Sequence, residues 1–89
     1  MVKIELPSFL HDEFKQDYIE ANIKCINDLK SNLTEEQVSF SEYILDPENM
    51  QFKKHIRFIL NGKLLNSTEY DRIISENDEL VLLVQITGG

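Results

Sequence analysis

The sequence predicts one small α+β domain, a mixed sheet of about four to five strands wrapped on one main helix, and three observations predict it. Near the N-terminus Val2, Ile4 and Leu6 alternate with Lys3 and Glu5, the period-two pattern of a strand with one buried face. Ile23, Ile26, Leu29 and Leu33 recur every three or four positions, as apolar residues do along one side of a helix. Residues 80–84, Leu-Val-Leu-Leu-Val, are apolar on both faces, as in a central strand. With 89 residues there is room for a single core.

Taken in order, the first strand ends at Pro7, and a turn-like stretch over 8–16 leads to a second strand over 17–21. Asn22 is suited to cap a helix, because its side-chain oxygen can accept from a backbone N–H that the first turn leaves unpaired. The helix would run along Ile23, Ile26, Leu29 and Leu33 and fray near Ser31-Asn32. Thr34-Glu35-Glu36-Gln37 has the form of a capping box and predicts a further helical turn. Beyond it the pattern is open: Phe40, Tyr43 and Ile44 suit a helix, while Tyr43-Ile44-Leu45 suits a strand.

Asp46-Pro47-Glu48-Asn49 reads as a type I turn, since proline presets φ at the second position and aspartate can bond the backbone ahead. A strand over 55–60 then stops at Asn61-Gly62, two residues that tolerate positive φ and so favour a tight hairpin. A short strand over 63–65 follows. After the apolar pair Ile73-Ile74 and the polar turn 75–78, the last strand is expected over 79–86.

Charge and composition exclude several classes of function. The net charge is −7: residues 1–50 hold 11 Asp/Glu against 4 Lys, and residues 51–89 hold 5 of each sign. Such a surface repels phosphate backbones and anionic lipid, so neither nucleic acid nor membrane is an expected partner. Lys53-Lys54-His55-Ile56-Arg57 is the one basic cluster, and it reads as the solvated start of a strand. No apolar run approaches the ~20 residues that span a bilayer, and no export signal is visible. Cys25 is the only cysteine, which points to a reducing, cytoplasmic setting.

The last third carries a resemblance. Ile56-Arg57-Phe58-Ile59-Leu60-Asn61-Gly62-Lys63, then Glu76-Asn77-Asp78-Glu79-Leu80-Val81-Leu82, then Thr87-Gly88-Gly89 at the end, resembles the ubiquitin-like β-grasp sulfur carriers, which include the small subunit of molybdopterin synthase and the thiamine-pathway carrier. Asn77 stands where that family usually has glycine, and asparagine also tolerates the left-handed backbone. The approach Val84-Gln85-Ile86-Thr87 lacks the proline common before the final glycines of molybdopterin-type members, although the length of segment 38–54 is closer to those members than to the thiamine type.

The resemblance implies a β-grasp domain over 1–86, a flexible tail over 87–89, and chemistry at the carboxylate of Gly89. A partner adenylating enzyme of the ubiquitin-activating type would use ATP to convert that carboxylate to an acyl-adenylate. A sulfurtransferase would supply the sulfur, and a sulfur-accepting enzyme, such as a molybdopterin synthase large subunit, would consume the thiocarboxylate. The chain itself would hold no stably bound cofactor and no metal, and would be a carrier, not an enzyme. Conjugation of Gly89 to target lysines, or delivery to thiamine, cysteine or another sulfur pathway, are the alternatives.

Physical reasons favour such a tail. Gly88 and Gly89 have no Cβ and allow close backbone approach, with Ile86 and Thr87 leading them into a partner's channel. Extended, residues 85–89 would reach about 17 Å. No other constellation competes: Cys25 is placed in the first turn of the expected helix without a nearby base, and His11 and His55 lack metal-ligand spacing. Asp12-Glu13, Glu35-Glu36 and Asp78-Glu79 read as solvated loops and helix starts, and there is no Gly-rich phosphate loop.

Overall fold

The computed structural model describes residues 1–85. Five strands, β1 (Val2–Glu5), β2 (Tyr18–Ala21), β3 (Ile56–Leu60), β4 (Lys63–Leu64) and β5 (Leu80–Val84), form one mixed sheet in the order β2-β1-β5-β3-β4. β5 lies at the centre, parallel to β1 and antiparallel to β3. This is the ubiquitin-like β-grasp arrangement, in which the last strand is inserted between two that precede it.

Pleat alternation builds the inner face. Val2 and Ile4, Ile19 and Ala21, Ile56, Phe58 and Leu60, and Leu80 and Leu82 are all buried on the same side of the sheet. Against them pack α1 (His11–Phe14), α2 (Val38–Ile44) and the irregular segments between the strands. Phe58 is fully buried and meets Phe52 and Tyr70 edge-on, with ring centroids 5.3 and 5.6 Å away. Phe14, Phe40 and Tyr43 form a second edge-to-face series at 5.9 Å per step.

The helical layer departs from the sequence reading. No α-helix starts at Asn22; a five-residue 3-10 helix, Ile26–Lys30, follows Cys25, which holds the N-cap position in an extended conformation. The spacing permits it, and burial of the three apolar side chains in the core selects it. Ile23, Ile26 and Leu29, all buried, are three residues apart, which is one turn of a 3-10 helix. Leu33, four residues on, is only half-buried.

The open middle resolves as helix. Gln37 Oε1 accepts from the Thr34 N–H (3.1 Å), as a capping box requires, and a 3-10 turn at Glu35–Gln37 runs into the seven-residue α2. Gln37 Nε2 also donates to the Glu20 carbonyl (2.7 Å), tying this helix start to the edge strand β2. Short helices also appear over 8–16, where only a turn-like stretch was expected, as a 3-10 turn at Ser8–Leu10 with α1, and a further 3-10 turn lies at Ser67–Glu69.

At Asp46 the carboxylate bonds the Glu48 N–H (2.9 Å) as expected, but the backbone closes from Met50 N–H to the Asp46 carbonyl (2.7 Å). That loop is one residue wider than a type I turn, and Met50 takes positive φ to complete it.

Candidate functional site

The sheet delivers the end of the chain from its middle. β5 is held on both edges, with Ile56 opposite Val84 on one side and Ile4 opposite Leu80 on the other. The last strand-like bond runs from Gln85 N–H to the His55 carbonyl (2.7 Å). Gly88, Gly89, Ile86 and Thr87, the tail residues singled out from the sequence, lie outside the described residues. What the fold positions is therefore their point of departure, Gln85, four residues before Gly89.

Around that departure the outer face of the sheet is apolar at its centre and charged at its margins. Ile59, Val81 and Leu83 are half-buried there, and Leu64, register partner of Ile59, is 43% exposed. Arg57 lies opposite Leu83, and its guanidinium donates to the Leu65 carbonyl (3.0 Å). On the far side Glu5 pairs with Val81 and with Tyr18, and the Lys3 ammonium sits 4.2 Å from the centre of the Tyr18 ring. Two apolar faces suit a strand covered on each side or packed against a partner, and the chain itself covers only the inner face of β5.

The other end of β5 is anchored by a clamp between two turns that the sequence presents as separate motifs. Asn61 and Gly62 have φ of 51° and 84°, the paired positive values of the tight hairpin turn joining β3 to β4. Asn61 N–H donates to the Glu79 carbonyl (2.8 Å), and Asn61 Oδ1 accepts from the Glu79 N–H (2.8 Å). Its Nδ2 donates to Asp78 Oδ1 (3.0 Å), while Asp78 Oδ2 accepts from the Ser75 N–H (2.8 Å).

The Asn61 amide, followed by the Ser75 N–H, holds the Asp78 carboxyl below its ordinary value. A carboxylate whose pKa is depressed by folding stabilises the fold above its unfolded value, and that contribution disappears as pH falls through the folded one. Urea titrations should accordingly show Asp78→Ala less stable than the wild type at neutral pH. The two midpoints should converge as the solution is acidified through and below the ordinary carboxylate range; a constant gap would remove the clamp from the account.

Elsewhere the described residues offer no reaction centre. A surface groove of about 470 Å³ is lined by Ser41, Glu42, Leu45, Pro47, Met50 and Lys53, with no histidine beside the serine. Cys25 does not occupy a helix first turn but the N-cap position of the 3-10 helix, and the Asp28 carboxylate in that helix accepts from the Lys24 N–H (2.8 Å). Neither histidine serves it: His11 Nε2 is 3.0 Å from the Leu6 carbonyl, and His55 stacks edge-on with Tyr43. Among the described residues no three His, Cys, Asp or Glu side chains are grouped to hold a metal ion, and no helix is long and apolar enough to cross a membrane.

Neither family models nor curated protein sequences match this chain. Solved structures do. SAMP1 from Haloferax volcanii, a protein also described as small archaeal modifier protein 1, superposes with a TM-score of 0.74 at 15% identity, covering 99% of this chain and 98% of that one. A chain of the Amycolatopsis orientalis BexX/CysO complex gives 0.75 at 15% identity, with both chains covered completely (100%). Sulfolobus solfataricus Urm1 gives 0.66 at 21% identity, covering 92% of this chain and 97% of its own. Near-complete coverage in both directions shows that the described residues share one fold with these chains.

Proposed function

We propose, from the premise that this chain has the ubiquitin-like β-grasp fold of a small archaeal modifier protein, that it is a sulfur carrier acting through the carboxylate of Gly89. The observation that carries the reading is the path of β5. A central strand paired on both edges ends at Val84, Gln85 beyond it is still bonded to His55, and Gly89 lies four residues further on. A rigid body with a short, Cβ-free terminus is what a partner needs if it is to enclose a reacting carboxylate and exclude water from it.

In this reading a Gly89 carboxylate oxygen attacks the α-phosphate of ATP held by an adenylating partner, and pyrophosphate leaves. A sulfur nucleophile supplied by a sulfurtransferase then displaces AMP, leaving a thiocarboxylate for an accepting enzyme. The outer face around Ile59, Leu64, Val81 and Leu83 is the docking surface for these partners, since it adjoins the strand that carries the tail. A molybdopterin synthase large subunit is the proposed acceptor, on the length of segment 38–54. Gly89 reacts, Gly88 allows the close backbone approach, Ile86 and Thr87 lead the tail into the channel, and ATP belongs to the partner.

A second reading has its own support. The name of the Haloferax volcanii neighbour makes that protein a modifier, and the same activated Gly89 could form an isopeptide bond to lysine. Intact-mass measurement of protein isolated from its own cells separates the two. A carrier shows replacement of one terminal oxygen by sulfur; a modifier shows Gly89-linked lysine conjugates on denaturing gels; finding neither would end both readings.

A further inference from the structure

The clamp on Asn61 has a chemical consequence independent of the sulfur-carrier reading. An Asn-Gly sequence is chemically labile because the glycine nitrogen is unhindered by a side chain. Here the side of Gly62 where a Cβ would stand is open, with nothing within 4 Å, and both Asn61 and Gly62 are exposed. Attack of Gly62 N on Asn61 Cγ forms an N–Cγ bond and breaks Cγ–Nδ2, with ammonia carrying away the proton from the glycine nitrogen. Water then opens the cyclic imide at either carbonyl, giving aspartate or iso-aspartate with no change of oxidation state.

The fold opposes the first step. Both polar atoms of the Asn61 side chain are held by the residues that open β5: Oδ1 by the Glu79 N–H (2.8 Å) and Nδ2 by Asp78 Oδ1 (3.0 Å). Turning the amide carbon toward Gly62 N breaks both bonds together. We propose that Asn61 is a deamidation site guarded by its clamp to residues 78 and 79, reacting only when the two turns come apart, and that the reaction then prevents them from closing again.

Irreversibility follows from the product. Aspartate replaces the Nδ2 donor by carboxylate oxygen facing the Asp78 carboxylate, so a hydrogen bond becomes a repulsion between like charges, and iso-aspartate carries Cγ into the backbone amide and removes the donor altogether. Iso-aspartate also inserts an extra backbone carbon into a two-residue turn whose two residues both depend on positive φ. β3, β4 and the head of β5 lose their common anchor.

The test follows the full chain at neutral pH, natively and in guanidinium, by peptide mapping of residue 61 for the deamidation mass change and by isoaspartyl methyltransferase labelling. Native protein should deamidate at least about tenfold more slowly than unfolded protein. Asp78→Ala, with native circular dichroism, should deamidate roughly fivefold faster than wild type. Equal rates in native and unfolded chains, or no acceleration in a folded Asp78→Ala, would overturn the proposal. If that variant does not fold, wild type at low denaturant decides: deamidation rising in parallel with hydrogen exchange at the Glu79 amide supports the guard, and deamidation staying flat while exchange rises refutes it.

Discussion

Removing Gly88 and Gly89 should abolish the proposed adenylation and thiocarboxylate formation while leaving the fold of residues 1–85 intact. The strands and core described above end by residue 85, so the truncated protein should keep its thermal transition within about 2 °C, a change comparable to that of a neutral surface substitution. Its activity should vanish because the next residue, Thr87, has a branched side chain that a channel shaped for glycine would not admit at the reacting position.

A substitution on the docking face should behave differently. Leu83→Glu places a charge opposite Arg57, at the edge of the apolar patch of Ile59, Val81 and Leu64, without altering the tail, so it should raise the KM of the adenylating partner for this protein and leave kcat nearly unchanged. ATP–pyrophosphate exchange with the cognate enzyme reads both quantities. Full exchange activity in the truncated protein would dispose of the carrier proposal, whereas full activity in Leu83→Glu would dispose only of the docking face.

Phe58→Ala should come close to unfolding the domain. The Phe58 ring is completely inaccessible and is held between Phe52 and Tyr70, so its loss leaves a cavity that the sheet cannot collapse to fill. Truncations of this kind cost about 3–5 kcal/mol, a large part of the 5–15 kcal/mol or so that holds a small domain together. For a chain of this length that corresponds to a fall in melting temperature of roughly 12–40 °C.

Ile73→Ala supplies the contrast. Ile73 is 79% exposed, and trimming it should move the transition by no more than a few degrees. Differential scanning calorimetry distinguishes these outcomes. A Phe58→Ala protein melting within a few degrees of wild type would mean that the aromatic cluster is not the centre of the core.

Residue pattern alone carried the strands, the class of fold and the terminal Gly-Gly. The reason is that alternation has a period of two and is read within a few residues, and that Asn61-Gly62 can adopt its paired positive φ almost wherever it occurs. Segment 23–33 misled because apolar residues three apart satisfy a 3-10 turn as well as the face of an α-helix. The choice between them came from what Ile23, Ile26 and Leu29 pack against.

Three-dimensional packing alone decided three further matters. It settled the insertion of β5 between β1 and β3, the exposure of one of its two apolar faces, and the meeting of Asn61 with Asp78 and Glu79, 17 and 18 residues away. Each is a contact between segments distant along the chain, and local periodicity holds no information about which strand edge will be free to receive another.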